Sequence, residues 1–217
     1  MDFYTLVSIL KKELKEKKPG ITAQLEMAPQ PRPGQKLPSE VKNSCIKAGV
    51  LVLLFPVSNQ AYLTLTRRTP DVFYHRSQIS FPGGRRESNE NLKLTALRET
   101  REELNIKVEA LTLLGELTPL YIPPSNHCIY PLVAASDKHP KFMPQPSEVS
   151  EVLEVPLDHL MDPDNVHREI WTKGEVQYLV PYYLFKQNKI WGATAMVIAE
   201  LLAVLRPFYR KKTIEKI

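Results

Sequence analysis

The chain has 217 residues, with 29 Lys and Arg against 24 Asp and Glu for a formal net charge of +5, and 43% of its residues are hydrophobic. That balance excludes wholesale disorder, a collagen repeat and a disulfide-stapled miniprotein, and the length suffices for one large domain with appendages around its own core. The two cysteines, Cys45 and Cys128, have no paired spacing and read as reduced thiols. No run reaches the ~18 apolar residues of a membrane span. Acidic Asp2 beside Met1 fits no secretory leader, so a cytoplasmic protein without membrane contact is expected.

Residues 2–16 carry Phe3, Leu6, Val7, Leu10 and Leu14 at helical spacing, which predicts a helix lying on the body. Its lysines, Lys11, Lys12, Lys15, Lys17 and Lys18, read as a solvated face. Residues 19–44 are Pro-rich and aperiodic and read as an extended arm, so a boundary is drawn between 1–44 and a main domain over 45–217. Ala48–Val57 is a buried strand, with Ala61–Arg67 its hairpin partner across Ser58-Asn59-Gln60. After the irregular Arg68–Ser80 come a tight turn at Phe81-Pro82-Gly83-Gly84 and a helix over Asn91–Leu104. Strands are expected over Val108–Leu120, Ile129–Ala135, Glu151–Val155, Val176–Tyr183 and Leu184–Trp191, with a helical turn at Leu157–Met161. Thr194–Leu205 is an apolar helix interrupted by Glu200 and ended by Arg206-Pro207. The class is α+β. Neither G-x4-G-K-[ST] nor G-x-G-x-x-G occurs, so any nucleotide is handled by other means.

The chemistry concentrates in the central helix. At about 100° per residue, Leu94, Leu97, Thr100 and Leu104 form an apolar face, and Glu99, Glu102 and Glu103 lie opposite, looking into water or a cleft. Like charges at i, i+3 and i+4 repel, and a hard divalent cation such as Mg²⁺ or Mn²⁺ removes that repulsion. Arg98 can reach sideways to Glu90 and lock the preceding loop. His127, His139, His159 and His167 show no zinc spacing, and Trp171, Trp191, Tyr178, Tyr182 and Tyr183 read as core aromatics rather than base-stacking groups.

Residues 84–106 match G-x5-E-x7-R-E-U-x-E-E-x-G-U, where U is apolar, through Gly84, Glu90, Arg98, Glu99, Glu102 and Glu103. This resembles the signature of the Nudix hydrolases. Thr100 replaces the usual aliphatic residue, and Asn105 the helix-ending glycine, for which Asn is the next-best left-handed residue. The resemblance implies an α/β/α sandwich around a mixed sheet, and Mg²⁺- or Mn²⁺-dependent hydrolysis of a nucleoside diphosphate linked to another group. It implies Glu99, Glu102 and Glu103 as metal ligands with the Gly83–Gly84 backbone nearby, and Arg98 as the residue orienting Glu99. Glu103 and Glu148 (or Glu151) remain alternative general bases.

Upstream, Leu65-Thr66-Arg67-Arg68 and Gln78-Ile79-Ser80-Phe81-Pro82-Gly83-Gly84 are similar to the extended signature of coenzyme A diphosphatases. Phe73 and Ser77 depart from it, with His75 and Arg76 close by. Ser147–Val152 and Ile190–Ala195 also resemble that subfamily. The implied substrate is coenzyme A or its thioesters, with Arg67, Arg68, Arg76 and Gly84 toward its phosphates. NADH, ADP-ribose, or nucleotide binding without turnover are the alternatives. A small nucleotide, not a nucleic acid, is the expected partner, for a monomer or homodimer.

Overall fold

The computed structural model describes residues 1–16, 18–41, 44–69 and 78–209, and the backbone of 210–214. Strand β1 (Ile46–Val57) is apolar along most of its length because both of its faces are covered. Leu51 and Leu53 pack with Ala96 and Leu104 on one side, while Val52 and Leu54 join Ile198, Leu201 and Leu205 on the other. The helices carrying those partners are α4 (Leu92–Leu104) and α6 (Gly192–Ile214). A mixed sheet with helices on both sides therefore forms, as the α/β/α expectation requires.

Around β1 lie β2 (Gln60–Arg68), antiparallel, and β7 (His127–Ala135), parallel, with Ile46 opposite His127 and Leu54 opposite Ala135. The short β3 (Ile79–Ser80) pairs β2, and β4 (Gly83–Arg85) pairs β1. β5 (Thr112–Glu116) and β6 (Leu120–Ile122) both pair β7. β8 (Val149–Pro156) pairs β2, completing an 8-stranded sheet. A second sheet has three strands, β9 (Val166–Lys173), β10 (Val176–Phe185) and β11 (Asn188–Trp191).

At its N-terminus α1 (Phe3–Glu13) starts at Asp2, whose carboxylate accepts from the Thr5 N–H, and buries Phe3, Leu6 and Leu10 in the core cluster that α6 shares. The arm after it is not wholly extended. It holds two short helices, α2 (Ile21–Leu25) and α3 (Pro38–Val41), and Gln30 exchanges two backbone hydrogen bonds with Leu179 of β10. The short helical turn at Leu157–Met161, α5, follows β8 as expected.

Several expectations need correction. Val108–Leu120 is not one strand, because a helical turn at 108–110 and a break after Glu116 divide it. β9 was not anticipated, since its exposed Arg168, Ile170 and Thr172 obscure the alternation. α6 runs through Pro207 to Ile214. The 18-residue stretch Gly192–Tyr209 is long and apolar enough to cross a membrane, contrary to the sequence reading, but 61% of it is buried in this core. Glu200 is no mere interruption of that helix. Fully buried, its carboxylate accepts from the Gly20 N–H, the Gln24 side-chain amide, and both the N–H and hydroxyl of Thr118. Finally, Cys45 and Cys128 form a disulfide with a Cα–Cα distance of 5.8 Å. The parallel β1–β7 register brings them together despite 83 residues of separation, a proximity that spacing along the chain does not reveal.

The seat of α4 depends on Gly49. A Cβ there would lie 2.3 Å from the Leu92 carbonyl oxygen and 2.9 Å from the Ala96 nitrogen, both helix backbone that cannot step aside. Gly49→Ala should therefore push α4 off the sheet and destabilise the fold by about 1–3 kcal/mol or more, the usual range for overpacking. A urea midpoint equal to that of the parent protein would refute this.

Candidate active site

Helix α4 is bounded by two asparagines. The Asn91 side chain caps the Leu94 N–H, and Asn105 closes the helix in the left-handed conformation at φ 51°, its N–H bonding the Arg101 carbonyl. The helix is rotated from the orientation its apolar residues suggest. Leu94 is 53% exposed, whereas Thr95, Ala96, Thr100, Glu103 and Leu104 are buried. Close approach to Gly49 sets the rotation: small Ala96 faces the sheet, and Thr100 satisfies its own hydroxyl on the Ala96 carbonyl at 2.7 Å. The acidic face consequently does not point wholly outward. Glu103 is 3% exposed, Glu99 17% and Glu102 55%.

Each carboxylate has a distinct holder. Glu103 accepts from the Gly83 N–H at 3.1 Å, with Arg68 Nη1 at 3.8 Å from its other oxygen. Arg98 binds Glu90 through Nε and Nη2, and its Nη1 reaches both Glu99 Oε1 at 2.9 Å and Glu102 Oε2 at 3.0 Å. Arg98 Nη2 also donates to the Arg85 carbonyl, so a single guanidinium joins the strand β4, the following loop and the helix. Hydrogen bonds from Arg98 hold Glu90 below the usual carboxylate range, and Glu90 in turn strongly favours the charged guanidinium.

Burial pushes Glu103 up to about 8, opposed by the Gly83 N–H and Arg68 and assisted by the nearby charges of Glu99 and Glu148. Glu99 is also raised, chiefly by burial. The two glycines before the helix permit close approach, Gly83 to β1 and Gly84 to the carboxylate cluster. Gly83, at φ 145°, lies against the Gly49 carbonyl, and a Cβ on Gly84 would meet the Glu99 carboxylate at 2.3 Å.

No group of three or more His, Cys, Asp or Glu side chains closes on a single point among the described residues. The three glutamates are therefore less convergent here than the helical pattern suggested, because Arg98 draws Glu99 and Glu102 to itself. The donor set nevertheless fits a hard divalent cation. Glu99 and Glu102 each give one oxygen to Arg98 and keep the other, and the like-charge crowding of Glu99, Glu103 and Glu148 is what a cation relieves.

The remaining candidates divide. Half-buried Glu148 lies on the loop before β8, close enough for its charge to raise both Glu99 and Glu103. Glu151 is engaged by Arg67 Nε at 2.9 Å. Arg67 also donates to the Asn188 side chain, so this arginine braces β2 against β8 and β11 rather than standing open to an anion. Arg68 Nε is buried without a hydrogen-bond partner among the described residues. Arg76, with Phe73, His75 and Ser77, lies outside the described residues. Gly49 was missed in the sequence reading, although as one of only 8 glycines, inside an apolar strand, it carried a readable sign of close backbone approach. Among the aromatics, Tyr183 is buried, and Trp171 and Trp191 pack edge to face on each other at 4.5 Å.

A family model described as a NUDIX domain matches residues 46–173. An uncharacterised Nudix hydrolase of Photorhabdus laumondii is 33% identical over 140 residues, 64% of this chain and 74% of the relative. A mitochondrial coenzyme A diphosphatase of Homo sapiens is 33% identical over 164 residues, 74% of this chain and 70% of the relative. A crystal structure of a Caenorhabditis elegans Ap4A hydrolase binary complex shares the fold with a TM-score of 0.50 and 16% identity, over 76% of this chain and 98% of that one.

Proposed function

The chain belongs to the Nudix hydrolase family, and from that premise we propose that it splits the diphosphate of coenzyme A or its thioesters, giving adenosine 3′,5′-bisphosphate and (acyl)phosphopantetheine, with Mg²⁺ or Mn²⁺ as cofactor. The similarity to the human coenzyme A diphosphatase carries the substrate reading. Arg68, whose Nη1 lies 3.8 Å from the buried Glu103, supports it as a cationic donor for a phosphate oxygen at this site.

Glu99, Glu102 and Glu103 would hold the metal ion, with the Gly83 backbone beside them. When bound, it neutralises diphosphate oxygens and acidifies water at the phosphorus. Arg98 fixes Glu99 and Glu102 while Glu90 anchors Arg98 in place. Glu151 is occupied by Arg67 and Glu103 by Gly83, so Glu148 is the carboxylate assigned to take the proton of the attacking water. Gly84, without a side chain, keeps the approach to Glu99 open.

The test is turnover of coenzyme A, acetyl-coenzyme A, NADH and ADP-ribose with Mg²⁺ or Mn²⁺, with products identified by mass. Adenosine 3′,5′-bisphosphate from the first two is expected. Preference for NADH or ADP-ribose would displace the substrate assignment, and tight binding of nucleotides without turnover would replace hydrolysis by recognition.

A pH prediction follows from Glu103. With its carboxyl at about 8, the metal-free protein carries it mostly protonated near neutrality, and the cation needs the ionised form. Binding must therefore release a proton, and apparent Mg²⁺ affinity should rise with pH and level off above about 8. The rise between about pH 6 and about pH 8 should be roughly fiftyfold, the change in ionised fraction of such a group. Titration calorimetry in buffers of different ionisation enthalpy measures both; affinity that does not vary with pH would remove Glu103 from the ligand set.

A further inference from the structure

The loop carrying Glu148 is held from two sides. On the helix side, the Met143 N–H donates to the Leu104 carbonyl at 3.0 Å and the Gln145 N–H to the Glu103 carbonyl at 2.8 Å, so the open end of α4 is closed by this loop. The loop is then folded on itself, with the N–H groups of Glu148 and Val149 both donating to the Gln145 carbonyl. On the sheet side there is Thr69, one residue beyond β2. It is 6% exposed, its N–H donates to the Glu148 carbonyl at 3.1 Å, and its hydroxyl donates to the Ser147 carbonyl at 3.1 Å. Ser150 returns a hydroxyl bond to the Arg67 carbonyl.

We infer that Thr69 is a positioning residue, whose paired bonds to Ser147 and Glu148 fix the Glu148 carboxylate against Glu99 and Glu103. The inference rests on the proposed reading, in which Glu148 acts at the diphosphate. Arg68, the neighbour of Thr69, faces Glu103. The last residue of β2 and the one that follows it thus set the cationic and the loop-borne acidic side of the cleft together. Because the loop is also bonded to the last turn of α4, a shift at Thr69 moves Glu148 relative to carboxylates that stay in place on the helix.

The experiment compares Thr69→Val, which keeps the volume and the N–H but loses the hydroxyl, with Thr69→Ser, which keeps the hydroxyl. Thr69→Val should lower kcat about 10–100-fold, as loss of an outer-shell partner or misplacement of a reacting group does, with KM within about twofold. Thr69→Ser should recover most of that loss. In a Glu148→Gln background Thr69→Val should cost nothing further, because the group it positions is already gone. Independently of any substrate, amide exchange across residues 143–150 should quicken in Thr69→Val and not in Thr69→Ser.

Full kcat in Thr69→Val, losses that multiply with those of Glu148→Gln, or unchanged exchange would each overturn the inference. A parent protein that turns over no substrate would defeat the functional reading alone, since exchange still decides whether Thr69 holds the loop.

Discussion

Glu102→Gln is expected to cut diphosphate hydrolysis by about a hundredfold or more and to leave the urea midpoint almost unmoved. Glu102 is 55% exposed, and its hydrogen bond from Arg98 is shared with Glu99 and Glu90, so its loss leaves no buried charge unpaired. Surface changes of this kind usually shift stability by no more than about 0.5 kcal/mol. On the proposed metal-binding role of Glu102 the functional cost is larger, because the amide keeps the shape but would supply no anion to a divalent cation. Loss of an outer-shell partner already costs about 10–100-fold; a direct ligand costs at least as much. Weaker Mg²⁺ binding should accompany the loss, and a Glu102→Gln protein with full activity would mean that the acidic face of α4 is not the reacting centre. Glu103→Gln is the less discriminating substitution, because that carboxyl is buried and already raised to about 8 before any metal arrives.

Opening the Cys45–Cys128 disulfide should weaken the fold by about 4–5 kcal/mol. The bridge closes a loop with a sequence separation of 83, and chain entropy places loops of that size near the upper end of disulfide stabilisation. Against total stabilities of roughly 5–15 kcal/mol this is a large share. Both sulfurs are buried, Cys45 at 7% and Cys128 at 0% exposure, among Val41, Tyr121 and Tyr130, so a dithiol reaches them only as the start of β1 opens. Paired Cys→Ala substitutions avoid that kinetic barrier. The comparison is of urea midpoints for oxidised, reduced and doubly substituted protein. Two titratable thiols in the denatured but unreduced chain, or equal midpoints for all three, would dismiss the bridge.

What could be read from the sequence was what depends on near neighbours. The R-E-x-x-E-E spacing and the asparagines at 91 and 105 lie within one helix, and their consequences, an ionic hub at Arg98 and a left-handed stop at Asn105, are local. Asn105 in the place of glycine did what its short polar side chain allows. The direction in which α4 faces was not readable in the same way. Leu94 looked like part of the anchoring face, yet it is exposed while Leu97 keeps a partly buried place against the core, because Gly49, more than forty residues earlier, lets the backbone at Leu92 and Ala96 come so near that small residues take the most buried positions and Glu103 turns inward.

The disulfide and the bracing of Arg67 by Glu151 and Asn188 were hidden for a related reason. They follow from which strands become neighbours, and pairing is decided by the sheet as a whole. Arg67 and Arg68 looked alike in the sequence, but one is tied into the framework by Glu151 and Asn188 and the other faces the buried Glu103.

The carboxylate of Glu200 has an implication for anyone shortening the chain. Two of its donors, the backbone of Gly20 and the amide of Gln24, come from the segment ahead of β1. A fragment begun at residue 45 would leave the Glu200 carboxyl inside α6 with Thr118 as its sole remaining companion among these donors, a deficit on the scale of about 1–3 kcal/mol for a buried group deprived of its hydrogen bonds. The leading forty residues therefore act as a solvation shell for the helix they cover, supplying in solid form the dipoles that water would otherwise provide.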